Sequence, residues 1–307
     1  MDEEIMNLIK FDCFSRVHKV EAMKHGRLVK SKWVFKVKYN NDKSVQRYRA
    51  RLVAKGFTQM PGTDFFETYS PVFGYTSLRV LLAKAAAEDL AIHQWDLKNG
   101  FIQQKIDVEH MYMECPEGYA DVMPDGSKAA LHCLRSIYGL KQSSRLLHNR
   151  LSQYLKSLGY VQTVSDACVY VKGLVIICTW VDDIIMFCPK RLKSASVQFD
   201  SLLRKEFEVS PWTFGEAGWI LNMRVERDWE TGTIHLSQEA AIEKLAIRFG
   251  LHEAKGPKTP MEAGQTFVKP EEKDIIPANE FDYMSAIGGL LCISLTTRPD
   301  ISYAVLL

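Results

Sequence analysis

Hydrophobic residues change their spacing along this chain, and each spacing predicts an element. Positions 32–39 alternate: Trp33, Phe35, Val37 and Tyr39 fall on one face of a strand, while Lys32, Lys36 and Lys38 share the other with Val34. After the turn residues Asn40, Asn41 and Asp42, a second strand sets Arg47, Arg49 and Arg51 against Tyr48, Ala50 and Leu52. The two strands form a hairpin with a single shared basic face. From Thr76 or Ser77, either of which can cap a helix, the spacing turns helical and buries Leu78, Leu81, Leu82 and Ala85 as far as about residue 90. A short strand over 91–95 then leads into Asp96. Helical stripes return over 144–158, through Leu147, Leu151, Leu155 and Leu158 to a stop at Gly159, and over 192–207, through Leu192, Ala195, Phe199 and Leu202. Apolar strands at 167–171, 174–181 and 184–188 lie between them. Strand pieces near 220–225 and 233–236 precede a helix over 238–249 that uses Ile242, Leu245 and Phe249, is capped by Ser237 and ends at Gly250. Residues 252–280, rich in Lys, Glu, Gly and Pro, read as a linker. Helices mixed with a mostly antiparallel sheet predict an α+β fold.

Composition sets bounds on this picture. With 307 residues, 47% of them hydrophobic and 25% charged, the chain can bury the cores of two or three subdomains. No apolar run approaches the roughly 20 residues that span a bilayer. The acidic start Met1, Asp2, Glu3, Glu4 is unlike the basic opening of a secretory signal. The expectation is a soluble, intracellular protein, in a cytoplasmic particle or the nucleus, with no membrane partner. Seven cysteines (Cys13, Cys115, Cys133, Cys168, Cys178, Cys188 and Cys292) lack any C-x-x-C spacing and read as reduced residues, mostly in apolar strands. The formal net charge of +2 hides a local excess: between Lys24 and Lys55 eleven Lys and Arg face one acid, Asp42. Charge runs are usually solvated faces, but six same-sign side chains on one hairpin face repel one another unless a polyanion sits there, which points to phosphate.

The candidate chemistry lies at Asp182 and Asp183, held between the apolar runs 174–181 and 184–188. Carboxylates beside buried strands are costly to desolvate without a cation or donors, so the pair suggests a divalent-metal site at a hairpin tip. An ordinary solvated Asp-Asp turn is the alternative. A third carboxylate, Asp96, ends another strand, and enzymes that join nucleotides hold two Mg²⁺ ions on carboxylates drawn from more than one strand.

Seven strings stand in order at matching spacings: KWVFKVK at 32–38, RARLVAKGFTQ at 49–59, ETYSPV at 67–72, QWDLKNGFI at 94–102, YGLKQ at 138–142, WVDDI at 180–184 and TRPDI at 297–301. With these, the chain resembles the reverse transcriptase of copia-type LTR retrotransposons from about Trp33 onward. The resemblance implies a right-hand polymerase fold with an antiparallel palm sheet on helices. It places an N-terminal extension at 1–25, fingers at about 26–90, palm at about 91–230 and the start of the thumb at about 231–255. Residues 256–307 would be a linker and the truncated start of a connection region, short of the RNase H domain.

The implied chemistry is RNA-directed DNA synthesis from dNTPs on a primed RNA or DNA template. Asp96, Asp182 and Asp183 would hold two Mg²⁺ (Mn²⁺ is possible), with Asp183 the more peripheral because side chains alternate along a strand. Arg49, Arg51, Lys55, Phe101, Gly139, Lys141 and Gln142 would meet the nucleotide, and Lys32, Lys36, Lys38 and Arg47 the nucleic acid. Phe101 matches the aromatic that lies under the sugar and selects deoxyribose; a core Phe is the alternative, and the two readings are not exclusive. The chain departs from the family pattern at Gly74, Gly100, Ser143, Ser144, Leu147 and Asn222, none of them an implied metal ligand. A decayed element product that binds nucleic acid without turnover is the rival reading. A metal-dependent phosphodiesterase is a weaker one, because no His or Glu cluster accompanies the aspartates.

Overall fold

The structure is a computed structural model, and it describes every residue except 40–43, 120, 211–216, 257–258, 263 and 265–280. The hairpin turn at Asn40, Asn41 and Asp42 and most of the expected linker therefore lie outside the described residues. The described residues form helices and antiparallel sheets, an α+β fold as expected. They divide into two compact units. The first contains Met1–Leu78 and Leu90–Gly215, and the second Arg79–Asp89 and Glu216–Leu307.

The first unit is built around a five-stranded sheet. Its strands are β4 (Leu90–Asp96), β7 (Val161–Gln162), β8 (Val169–Lys172), β9 (Val175–Trp180) and β10 (Asp183–Pro189), in the order β4-β10-β9-β8-β7. Central strands covered on both faces need apolar residues at every position. Val175 to Thr179 and Ile184 to Cys188 are accordingly buried without alternation. The helices α4 (Ser143–Ser157) and α5 (Lys193–Glu206) supply Leu147, Leu151, Leu155, Phe199 and Leu203 to one core with Trp95, Ile177, Ile184 and Met186. Each of these side chains contributes about 1.5–3 kcal/mol of transfer free energy. Trp95 also meets Phe199 edge-on at 5.1 Å and donates its indole N–H to Asp200 at 2.9 Å. Leu90, expected at the end of the preceding helix, is instead the first residue of β4, because α3 (Tyr75–Ala87) stops earlier and Asp89 turns the chain at φ +53°.

A second core in this unit forms below the hairpin of β2 (Ser31–Tyr39) and β3 (Val45–Ala54). There Leu52 and Ala54 meet Val29, Met113, Leu131 and Leu140. The region expected to be an N-terminal extension takes part in this core. Leu8 from α1 (Asp2–Lys10) is 1% exposed in the same cluster, and β1 (Phe14–His18) pairs with β6 (Ala129–Cys133).

In the second unit, the strand expected near 220–225 is two strands, β11 (Trp219–Ile220) and β12 (Met223–Arg227). They are joined by Leu221 and Asn222 at φ +49° and +64°. Two successive left-handed residues make the tight turn that matches strand twist, and Asn tolerates that conformation. Helix α6 (Glu239–Arg248) starts one residue later than expected, with Gln238 rather than Ser237 at its N-cap, while Ser237 Oγ accepts from the Glu239 N–H at 3.2 Å. Its apolar stripe is only half-buried. It approaches α7 (Tyr283–Thr296), which follows the expected linker, and Gly289 leaves room there for the Leu245 side chain.

None of the cysteines forms a disulfide; Cys13, Cys133, Cys168, Cys178 and Cys188 are buried, and Cys292 is exposed. No described helix is long and apolar enough to cross a membrane.

Candidate active site

β9 and β10 are joined by a two-residue turn, Val181 and Asp182, in which Val181 adopts φ +54°. Glycine normally fills such a position, and a β-branched residue held there stores strain, as functional turns often do. The turn is fixed from the side by β4: Leu97 donates its N–H to the Asp182 carbonyl at 2.9 Å, and Asp183 is the direct partner of Asp96 in the β4–β10 ladder. Residues 87 positions apart thus arrive at one sheet end.

The three carboxylates are held differently. Asp96 is exposed, and its Oδ2 accepts from Ser210 Oγ at 2.8 Å. Burial is the main reason the Asp182 carboxyl sits above the usual carboxylate range, and the nearby Asp96 charge adds to it; Arg51 and Arg49 pull the other way. Asp183 is pushed up to about 6, again chiefly by burial, although its Oδ1 accepts from Gln94 Nε2 at 3.0 Å. Half-buried carboxyls whose charged form is disfavoured by desolvation mark a candidate functional site.

Asp96 and Asp182 line an open cleft of about 510 Å³ with Lys38, Arg47, Arg49, Arg51, Tyr138 and Ser210; Asp183 does not reach it. Hard carboxylate oxygens of this kind suit a divalent cation such as Mg²⁺. Among the described residues, however, no three His, Cys, Asp or Glu side chains converge into a ready metal cage.

The hairpin register accounts for the cationic wall. Lys36 faces Arg49, Lys38 faces Arg47 and Val34 faces Arg51, so the basic residues of both strands share one face with Lys32. Partial burial lowers the Lys38 pKa, as do the like charges of Arg47, Arg49 and Lys36. Arg51 lies 4.7 Å over the Tyr138 ring, and its buried Nε has no hydrogen-bond partner. Lys32 and Lys36 are exposed on the hairpin but outside the cleft, as are the half-buried Lys55 and Phe101. Phe101 packs partly against the main core and meets Tyr138 edge-on at 5.2 Å.

The loop over 138–142 is mostly structural. Gly139, at φ +90°, lies so close to the Ala54 backbone that no side chain fits, and Ala54 donates its N–H to the Tyr138 carbonyl at 2.8 Å. Gln142 was expected at the nucleotide, yet the structure does not bring it there. It is fully buried, with its Oε1 accepting from Gln59 at 3.0 Å and its Nε2 donating to the Asp64 carbonyl at 2.9 Å. Lys141 is exposed, with its ammonium 4.8 Å over the Phe65 ring and away from the cleft.

Among the lining residues that the sequence did not assign to the site are Glu4, Asn7, Tyr138 and Ser210. Glu4 accepts from the Leu52 N–H at 3.3 Å, with its pKa raised by burial, and Asn7 accepts from Asn99 at 3.3 Å. Only Tyr138 carried a signal, as the first residue of the YGLKQ string.

The family described as reverse transcriptase (RNA-dependent DNA polymerase) matches residues 15–263. Similar proteins include the retrovirus-related Pol polyprotein from transposon TNT 1-94 of Nicotiana tabacum, 36% identical over 99% of this chain and 23% of the relative. Another is the Pol polyprotein from transposon RE1 of Arabidopsis thaliana, 35% identical over 92% of this chain and 19% of the relative. This chain therefore spans about a fifth of the length of these relatives. A structure of the foamy viral protease-reverse transcriptase in complex with double-stranded DNA aligns at TM-score 0.46 and 13% identity, over 93% of this chain and 38% of that one.

Proposed function

The chain belongs to the reverse transcriptase (RNA-dependent DNA polymerase) family, and we propose that it extends a primer on an RNA or DNA template, joining dNTPs to the 3′-hydroxyl. The observation that carries this reading is the opening of Asp96 and Asp182 into one cleft with Arg47, Arg49 and Arg51. Two Mg²⁺ ions, when bound, would activate the primer hydroxyl and stabilise the departing pyrophosphate. Asp96 and Asp182 would hold them, with Asp183 behind. Ser210 keeps the Asp96 carboxylate oriented through its hydrogen bond. Arg49 and Arg51 would neutralise the triphosphate, and stacking on Tyr138 holds the Arg51 guanidinium in a fixed plane. Lys38 and Arg47 extend the positive surface toward a template or primer backbone.

A second reading, nucleic-acid binding without turnover, is favoured by one observation: among the described residues the carboxylates are not gathered into a three-ligand cluster. Primer extension on poly(rA)/oligo(dT), with and without Mg²⁺, separates the two. Polymerisation predicts Mg²⁺-dependent extension that Asp182→Asn abolishes while its melting temperature stays near that of the parent. Binding of the primed template without any extension would leave the second reading standing.

A further inference from the structure

Beside the catalytic cleft the first unit has another, of about 700 Å³, lined by Lys10, Lys98, Arg135, Arg150, Arg204 and Lys205 with only Glu206 and Glu208 against them. Both acids are already engaged: Glu206 accepts from Arg150 at 2.8 Å, and Glu208 from Lys10 at 2.7 Å. Arg204 is taken by Asp200 at 2.8 Å. Lys98, Arg135 and Lys205 are left with no carboxylate partner among the described residues. The cleft is nevertheless a built structure. Arg135 and Arg150 both donate to the Gln103 carbonyl, at 3.0 and 2.8 Å, and Arg150 lies 4.6 Å over the Phe207 ring. Lys98, Arg135 and Lys205, sharing one cleft without carboxylate partners, favour a polyanion.

Position narrows the ligand. Lys98 lines both clefts. The ridge between them is made of segments joined by backbone hydrogen bonds, from Lys98 to the Glu208 carbonyl at 2.9 Å and from Ser210 to the Asp96 carbonyl at 2.8 Å. Phe207 is 3% exposed and covered by Arg150, so the cleft offers it to no base for stacking. We infer that this cleft is a second phosphate-binding site, taking phosphate groups that lead to or from the Asp96–Asp182 cleft. Two sources share that chemistry: the backbone of a nucleic-acid strand, and free polyphosphate such as pyrophosphate.

The inference goes beyond the proposed polymerase activity, and its test uses no catalysis. Binding of a labelled single-stranded 12-nucleotide DNA and, separately, of inorganic pyrophosphate is measured without divalent metal for the parent, Lys205→Glu and Lys98→Glu/Lys205→Glu. Lys205 lies in the new cleft alone, so Lys205→Glu is the deciding variant. For a strand, affinity should fall about fivefold or more at low salt, and the slope of log K against log salt should flatten by about 0.7 per lost contact. For a free polyphosphate, pyrophosphate binding should weaken and DNA binding should hold. Lys98→Arg/Lys205→Arg should bind like the parent, and equal melting temperatures guard against misfolding. If Lys205→Glu binds both probes within twofold of the parent, the site does not exist. A protein inactive in primer extension can still pass this test, so the two proposals fail separately.

Discussion

Asp183 stands directly opposite Asp96 across the β4–β10 ladder, yet its carboxylate is tied to Gln94 and stays out of the cleft that Asp96 and Asp182 share. Adjacent acids, one in the turn and one opening β10, therefore have different surroundings. The same sheet holds a titrating group of opposite sign, His93, in register with Met186 and 2% exposed, whose pKa burial lowers to about 4.

These two groups make a prediction about pH. Asp183 is raised to about 6, so in the metal-free protein its contribution to stability is full below pH 4 and is lost as pH rises through about 6. His93 is lowered to about 4, so its contribution is present above pH 6.5 and is lost as pH falls through about 4. The slopes oppose each other within one window, each bounded by about 1.4 kcal/mol per pH unit for a single proton. Urea melts of Asp183→Asn should show stability rising with pH between 4 and 6, and those of His93→Gln should show it falling. Parallel profiles for the two variants would refute the assignment.

Reversing Arg47, Arg49 and Arg51 to Glu should weaken binding to an RNA–DNA duplex. Each lost phosphate contact removes about 0.9 from the slope of log K against log salt on duplex DNA, so two or three should be plainly visible. A slope equal to that of the parent would mean that the hairpin face is merely solvated.

Phe101 touches both the main core and Tyr138, so Phe101→Val separates two roles. If the ring lies under the sugar, the ratio of dNTP to rNTP incorporation should fall with little change in dNTP use. If it only packs, the melting temperature should drop and the ratio should hold, in line with the roughly 3–5 kcal/mol lost when a buried Phe becomes Ala.

Gly139→Ala should destabilise the first unit. The substitution places a methyl group against the Ala54 backbone at φ +90°, and left-handed geometry alone costs about 1–2 kcal/mol before the clash is counted. Denaturant melts check this. Stability within 0.5 kcal/mol of the parent, the range of ordinary surface substitutions, would mean that the loop relaxes freely.

What the sequence determined by itself follows from local periodicity. The alternation over 32–39 and 47–52 fixed which side chains share the basic face, and the observed register, with Lys36 opposite Arg49 and Lys38 opposite Arg47, keeps them on it. Unbroken apolar runs around Asp182 and Asp183 announced strands buried on both sides, and the helices at α4 and α5 lie within a residue or so of their stripes. Tertiary structure alone decided what meets across long separations. Ser210 reaches Asp96 over 114 positions, and Glu4 reaches Leu52 over 48. It also drew Gln142 inward, where its amide pairs with Gln59 and with the Asp64 carbonyl. Spacing within a segment sets which face a side chain occupies, but only the packing of segments against one another sets which faces meet.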